Sequence, residues 1–283
     1  MAKTILVTGA TSGIGQETAR RLAELGERVV VHGRSEEKAR QTVSAIRQST
    51  GNEQVDYLLA DFASLDQVRD LAAQVNGRYD RLDVLINNAG AVFLRREESA
   101  DGYEMTFAVN HLAPFLLTNL LLDKLRTSAP ARIVTVASDA HENATLDLND
   151  LQSEGDFSIM KNYGTSKLAN ILFTYELARR LDSSQVTANA MHPGFVSTGM
   201  GSNNVPRWLG RLFKAFTGLF ARDVAQGAET AVFLADSPVV AGVSGKYFVD
   251  EEAVSSSNLS YDQDLARRLW VISAQMTGLT YTI

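Results

Sequence analysis

Tyr163 and Lys167 are the two residues whose types and spacing point most directly to chemistry. They stand four positions apart, and in a helix that separation places both side chains on one face. A tyrosine phenol has a pKa of about 10, and a positive charge beside it favours the phenolate and lowers that value. We therefore predict that Lys167 lowers the pKa of Tyr163 and that the pair transfers a proton. The same spacing also arises by chance on helices whose lysine is merely solvated, so the interpretation depends on the other motifs.

A glycine-rich segment follows the first apolar run of the chain. Lys3–Thr8 has the composition of a strand, and a helical pattern begins after Gly15. Strand, glycine turn and helix in that order form a phosphate-binding loop, because glycines allow close backbone approach and the helix N-terminus presents free N–H groups. A purely structural turn needs only one or two glycines. We predict that the dinucleotide contacts lie at Gly9, Thr11, Ser12, Gly13, Ile14 and Gly15.

Composition is that of one soluble domain. The chain has 283 residues, 45% of them hydrophobic, which is enough for a large core. A net charge of −6 argues against a basic nucleic-acid surface. Cysteine is absent, which excludes disulfides and thiolate sites, and four scattered histidines give no metal-ligand pattern. The first strand begins almost at Met1 and the longest apolar stretch, residues 114–122, is interrupted by Thr118 and Asn119, so we expect a cytoplasmic protein.

Strand and helix patterns alternate along the chain. This alternation predicts an α/β fold, a Rossmann-type doubly wound parallel sheet with helices on both faces and a single domain. Ligands of such sheets bind at the carboxyl ends of the strands, so Thr8, Gly33, Asp61, Asn87, Ser138 and His192 should share one crevice. The pattern predicts strands at Lys3–Thr8, Arg28–Val31, Val55–Ala60, Val84–Ile86, Arg132–Ala137 and Val186–Met191, and helices at Glu36–Gln48, Leu65–Val75, Tyr103–Leu125 and Tyr163–Leu181.

Four motifs together resemble the short-chain dehydrogenase/reductase family. They are the glycine loop Gly9–Gly15, the segment Asn87-Asn88-Ala89-Gly90, the Tyr163/Lys167 pair and Pro193-Gly194, in that order. The resemblance covers nearly the whole chain. Residues 101–112 and 163–170 look most like the retinol dehydrogenase branch of that family.

The resemblance implies a role for each candidate site residue. Tyr163 would be the general acid and base, Lys167 would also hold the nicotinamide ribose, Ser138 would hydrogen-bond the substrate oxygen, and Asn110 would anchor a water. Structural alternatives remain: Ser138 as a turn residue, Asn110 as a buried helix residue and Pro193-Gly194 as a plain turn. His111 and His141 are interpreted as structural or loop residues. The cofactor contacts implied beyond the glycine loop are Asn88, Gly90, Tyr163, Lys167, Pro193, Gly194 and Thr198.

The end of the second strand bears on the choice of dinucleotide. An acidic residue there would bind the ribose hydroxyls of NAD, but this chain has Gly33 followed by Arg34, a donor matched to a 2′-phosphate. NADP(H) is therefore preferred, with NAD(H) as the alternative and with a solvated Arg34 as the rival interpretation. Asp61 would accept from the adenine amino group by resemblance, or would cap the helix near Leu65.

Residues 197–221 carry aromatic and aliphatic side chains at helical spacing, with basic residues between them. A lid over an apolar substrate is the preferred interpretation, ahead of a core-facing helix, and contact with a membrane surface is the least favoured.

The predicted activity is an NADP(H)-dependent interconversion of an apolar carbonyl compound and an alcohol. The alternatives are reduction of a carbon-carbon double bond on the same fold, or a dinucleotide-binding regulatory or scaffold protein without catalysis. By resemblance, pairing through the helices Tyr103–Leu125 and Tyr163–Leu181 would give a homodimer or homotetramer.

Overall fold

Apolar segments alternate with amphipathic ones along this chain, and in the computed structural model each forms the strand or helix that its pattern favours. The structure describes residues 2–183, 185–194 and 224–280. The first half contains β1 (Thr4–Val7), α1 (Gly13–Glu24), β2 (Arg28–Gly33), α2 (Glu36–Thr50), β3 (Val55–Leu59) and α3 (Leu65–Arg78).

The second half repeats the alternation and adds a C-terminal hairpin and helix. It contains β4 (Val84–Asn87), α4 (Met105–Phe107), a π-helical turn (Ala108–Leu112), α5 (Ala113–Thr127), β5 (Ala131–Val136), a 3₁₀ turn (Asp139–His141), α6 (Ile159–Arg180), β6 (Val186–His192), α7 (Val224–Asp236), β7 (Tyr247–Val249), β8 (Glu252–Val254) and α8 (Gln263–Met276).

The strands of the described residues form one sheet in the order β3-β2-β1-β4-β5-β6-β7-β8. All neighbours are parallel except β7 and β8, which are antiparallel. The strand order reverses between β1 and β4, and this reversal opens a crevice at the carboxyl edge. The predicted doubly wound sheet with helices on both faces is confirmed.

Alternate residues of the central strands face opposite layers of helices. In β1, Leu6 packs into a core with α3, α5, α6 and α8, whereas Ile5 and Val7 pack into a second core with α1, α2 and α7. A parallel sheet covered on both faces requires such continuous apolar strands. The sheet is therefore fixed firmly enough to hold the loops at its carboxyl edge.

The helix predicted from Tyr103 to Leu125 differs in one respect that matters for the site. It begins at Met105, where the Glu104 carboxylate accepts from the N–H groups of Thr106 and Phe107, and it widens into the π-helical turn. Such turns inside α-helices are frequent at functional sites. Asn110 lies at the centre of the turn.

The C-terminal elements α7, β7, β8 and α8 were not predicted from the sequence. Helix α8 packs across α5 and α6, and the ring of its buried Trp270 lies 5.0 Å from that of Phe115 and 5.6 Å from that of Phe173. The Arg180 guanidinium lies 4.4 Å from the Trp270 ring. The chain's own helix thus covers part of the surface through which pairing with another copy was predicted, and that pairing stays a prediction.

One helical stretch among the described residues, Met105–Thr127, is long and apolar enough to cross a membrane. In its most apolar window, 78% of the residues are buried inside the fold, as in a core helix.

Candidate active site

The glycine loop lies at the carboxyl end of β1, where the strand order reverses. Gly9 has a φ of +64°, and a Cβ placed on it would lie 2.8 Å from the Cα of Ala89. A Cβ on Gly15 would lie 2.3 Å from the Asn88 Nδ2 and 2.7 Å from the Gly9 carbonyl oxygen. Only glycine fits at either position. The side chain of Ser12 makes no capping bond, so it leaves the first N–H groups of α1 available to an anion.

Asn88 and Thr8 hold this loop against the end of β4. The Asn88 Nδ2 donates to the Thr8 carbonyl at 2.7 Å, and the Thr8 Oγ1 accepts from the N–H groups of Asn88 and Ala89, both at 3.0 Å. Asn88 therefore braces the loop, and its contact with the cofactor stays a prediction. These residues fit a dinucleotide phosphate at this position.

His32 is a second brace, which the sequence did not reveal. Its buried imidazole accepts from the Gly9 N–H at Nδ1 (3.2 Å) and donates from Nε2 to the Ala60 carbonyl (3.1 Å). Burial lowers the pKa of His32 to about 4, so the neutral ring makes both bonds at pH 7. A polar residue within the buried run of β2 was the signal available in the sequence.

The end of β2 carries the residues predicted to choose the dinucleotide. A Cβ on Gly33 would lie 2.4 Å from the Thr11 Cγ2, so the methyl group of Thr11 occupies the space that an acidic side chain would need. Arg34 follows and is exposed. The Oδ1 of Asp61 accepts from the Ala63 N–H at 3.0 Å. The alternative in which Asp61 caps the next helix is wrong, because Ser64 caps α3.

Tyr163, Ser138 and Lys167 meet beyond the ends of β4 and β5. The Ser138 side chain lies next to the Tyr163 hydroxyl and favours its phenolate form. Ser138 Oγ also donates to the Asp139 carboxylate at 2.9 Å and accepts from the Ala140 N–H at 3.2 Å. The buried Lys167 Nζ donates to the Val136 carbonyl at 3.0 Å and lies 5.6 Å from the centre of the Tyr163 ring. The structure thus brings these three residues together, and the Oδ1 of the fourth residue with a predicted catalytic role, Asn110, lies next to Gly90, as the Lys167 Nζ does.

The pKa of Tyr163 moves in the direction opposite to the one predicted. Burial raises it to about 12, the bond with Ser138 opposes the rise, and the Asp139 carboxylate adds to it. Burial also lowers the pKa of Lys167 to about 8. Desolvation dominates both pKa values, and the ammonium donates to the Val136 carbonyl and not to the phenol. Among the protein's own groups Tyr163 is therefore a protonated donor at pH 7.

Asn110 uses its side chain to join the loop after β4 to α6. Its Oδ1 accepts from the Ala91 N–H at 2.8 Å, and its Nδ2 donates to the Ala91 carbonyl and to the Ser166 Oγ, both at 3.0 Å. A Cβ on Gly90 would lie 3.3 Å from the Lys167 Nζ. The side chain of Asn110 thus positions the loop beside the lysine, and its role in anchoring a water stays a prediction.

The remaining predicted contacts follow β6. Pro193 and Gly194 lie at the same edge of the sheet and are half-buried, and Gly194 has a φ of +76°. Thr198 and the predicted lid at residues 197–221 lie outside the described residues.

Comparison with known proteins agrees with this geometry. A family model described as short chain dehydrogenase matches residues 3–207. Human retinol dehydrogenase 14 is 43% identical over 98% of this chain and 87% of its own length, and human polyprenol dehydrogenase is 41% identical over 97% and 84%.

Solved structures show the same fold. An uncharacterised protein from Mycobacterium paratuberculosis superposes with a TM-score of 0.78 at 30% identity, covering 99% of this chain and 95% of that one. A variant of actinorhodin polyketide ketoreductase solved with NADPH superposes with a TM-score of 0.67 at 28% identity, covering 87% of this chain and 95% of that one. The chain therefore belongs to the short-chain dehydrogenase/reductase family, in its retinol dehydrogenase-like branch, and is an NAD(P)-dependent oxidoreductase.

Proposed function

We propose that this protein interconverts an apolar aldehyde or ketone with its alcohol, using NADP(H), with Tyr163 as general acid and base. One observation carries the proposal: the Ser138 side chain lies next to the Tyr163 hydroxyl, at the edge of the sheet where the glycine loop lies. Two hydroxyl donors that converge on one point suit a carbonyl oxygen, because that oxygen gains negative charge as the carbon is reduced.

Ser138 and Tyr163 have different roles in the proposed reaction. The bound dinucleotide supplies the hydride in reduction and accepts it in oxidation. The Ser138 hydroxyl donates a hydrogen bond to the Asp139 carboxylate. Rotation of the hydroxyl about its C–O bond would let it donate to a substrate oxygen instead. Tyr163 donates the proton that completes the alcohol, and the high pKa of about 12 keeps that proton in place until the oxygen becomes basic.

Lys167 is the third residue of the proton-transfer group, and its Nζ lies near the Tyr163 ring. Because burial lowers its pKa to about 8, its ammonium can lose a proton near neutral pH more readily than an exposed lysine does. Its bond to the Val136 carbonyl fixes the Nζ beside Gly90. This position is suited to returning a proton to Tyr163 and to holding a ribose hydroxyl of the cofactor.

The preference for NADP(H) rests on charge and on packing at the end of β2. Thr11 fills the space that an acid at position 33 would take, and the exposed Arg34 can reach a phosphate in solvent. NADPH and NADP in two of the similar solved structures are consistent with the preference. NAD(H) remains the alternative.

The apolar substrate is inferred from the relatives, whose names specify retinol and polyprenol, both long apolar alcohols. The test is oxidation of NADPH by the purified protein with a chain-length series of saturated and α,β-unsaturated aldehydes, followed by identification of the products. We expect the alcohol with the double bond intact, and a rate that rises with apolar chain length. A saturated aldehyde as product would instead identify a double-bond reductase, and no reaction with any member of the series would refute the proposal.

A further inference from the structure

We propose that His141 is a positioning residue for the reaction: it holds the backbone carbonyl of Ser138 and thereby fixes the hydroxyl that faces the substrate oxygen. The inference rests on the proposed function, which gives Ser138 its role.

The imidazole of His141 is fully buried between two backbone groups. Its Nδ1 donates to the Ser138 carbonyl at 2.6 Å, and its Nε2 accepts from the Ser257 N–H at 3.1 Å. A ring that accepts at Nε2 carries its proton on Nδ1, so the two bonds define one neutral tautomer. The half-exposed Glu142 carboxylate lies 3.4 Å from Nε2, farther than the Ser257 N–H. The edge of the ring faces Tyr247, with the ring centres 5.0 Å apart.

Ser138 depends on this contact because its other bonds are local or belong to the site. Its hydroxyl contacts Asp139, Ala140 and Tyr163. Asp139 and Ala140 belong to the same short turn, so their bonds to the serine hydroxyl move with it, and the Asp139 N–H donates to the His192 Nδ1 of β6 at 3.3 Å. His141 also ties the turn to a residue more than a hundred positions away.

A close contact with α6 limits how near the same turn can approach that helix. A Cβ on Gly164, the residue after Tyr163, would lie 2.7 Å from the Ala140 carbonyl oxygen. The turn therefore rests directly on the backbone of α6, beside the phenol. The Gly164 contact limits how closely the turn approaches α6, and His141 limits how far it moves away.

The C-terminal partner of His141 is itself anchored. Tyr175 on α6 shares a hydrogen bond with the Ser256 hydroxyl at 2.8 Å, and Ser256 shares one with Ser260 at 2.6 Å. Tyr175→Phe would loosen this segment without touching Ser138. It is therefore the matched control that separates anchoring of the C-terminal segment from positioning of the serine.

Each of two amide substitutions can keep one of the two hydrogen bonds of the imidazole and remove the other. Asparagine places its amide nitrogen near the Nδ1 position, so His141→Asn can keep the bond to Ser138 and lose the one to Ser257. Glutamine reaches the Nε2 position, so His141→Gln can keep the bond to Ser257 and lose the one to Ser138. Because the bridge from Ser138 to Ser257 needs both bonds, a positioning role predicts that either variant releases the turn, whereas a histidine that serves only the fold would leave kcat of the folded variants unchanged.

The experiment measures kcat, the KM for NADPH and the exchange rate of the Ala140 amide in the full-length protein and its three variants. We expect His141→Gln to lower kcat by about 10- to 100-fold without changing the KM for NADPH, since small displacements of reacting groups have effects of that size. We expect His141→Asn to lower kcat by a similar factor, because the turn then loses its tie to Ser257, and Tyr175→Phe to stay within about threefold of the wild type, because it keeps both bonds of His141. A wild-type kcat in both His141 variants, or a loss in Tyr175→Phe as large as that in His141→Gln, would overturn the proposal.

Amide exchange keeps this test separate from the test of the proposed function. If the wild-type protein reduced no carbonyl compound, the proposed function would fail. Faster exchange of the Ala140 amide in both His141 variants than in Tyr175→Phe would still support the positioning of the turn. Equal exchange in the wild type and the His141 variants would overturn it.

Discussion

Cofactor choice depends on one contact at the end of β2, between Gly33 and Thr11. Gly33→Asp introduces the carboxylate suited to the ribose hydroxyls of NAD, but its Cβ would lie 2.4 Å from the Thr11 Cγ2. Carbon atoms pack at about 3.5–4.0 Å, so the single variant is overpacked and should lose about 1–3 kcal/mol of stability. Thr11→Ala removes the Cγ2 and leaves the Cβ of residue 11 at 3.4 Å, an ordinary contact. The double variant Thr11→Ala/Gly33→Asp should therefore recover most of that stability.

The same pair of substitutions should reverse the preference between the two dinucleotides. A hydrogen bond to a charged group contributes about 1.5–3 kcal/mol. Because Arg34 is exposed and therefore screened, the low end applies, or roughly a tenfold change in affinity. We expect Arg34→Ala to lower the ratio of NADPH to NADH affinity about tenfold, and Thr11→Ala/Gly33→Asp to favour NADH, because the new carboxylate repels a 2′-phosphate.

Titration of each variant with NADPH and NADH, together with thermal unfolding, measures both effects. An unchanged ratio in Arg34→Ala would refute the assignment of that residue to the phosphate. Full stability of Gly33→Asp on its own would refute the packing of Thr11 over position 33.

Two further predictions concern stability. Trp270→Ala should lower the free energy of unfolding by about 3–5 kcal/mol, because the ring is buried against Phe115 and Phe173. Denaturant unfolding at fixed protein concentration measures the change. A loss below about 1 kcal/mol would show that α8 is not part of the core. Burial lowers the pKa of both His32 and His111 to about 4. Between about pH 6.5 and 4 the unfolded chain therefore binds protons that the folded protein does not, so stability falls as the pH falls through that window. Replacing His111 by Asn should remove about one proton from the difference between the unfolded and folded states, which lowers the slope of unfolding free energy against pH by roughly 1.4 kcal/mol per pH unit. An unchanged slope would show that His111 is not buried as a neutral ring.

The sheet and the position of the site could be predicted because both follow from local patterns. Short apolar runs bounded by glycine and polar turns identify buried parallel strands, and their carboxyl ends must meet at one edge. Gly9, Ser138, Tyr163 and Lys167 therefore converge as expected. The strands in the structure begin and end within about two residues of the predicted positions. Composition does not define the first and last hydrogen-bonded residues of a strand more closely than this.

Tertiary contacts decided what the sequence could not show. The pKa of Tyr163 depends on how deeply the phenol is buried and on where the Lys167 ammonium points, and neither follows from a four-residue spacing. His32 and His141 brace the site through backbone groups that are distant in sequence. Helix α8 has an amphipathic pattern, but only the fold shows that it packs against α5 and α6.

Replacement of one oxygen atom tests the central claim most directly. Tyr163→Phe removes the proton donor and keeps the ring, and Tyr175→Phe makes the same change at another buried tyrosine of the same helix. The measurement is single-turnover oxidation of bound NADPH by an apolar aldehyde, with the NADPH dissociation constant determined in parallel. We expect the rate to fall by about 10²- to 10⁴-fold in Tyr163→Phe, with NADPH binding retained, and to change little in Tyr175→Phe. A Tyr163→Phe variant that binds NADPH and reduces the aldehyde at the wild-type rate would contradict that claim.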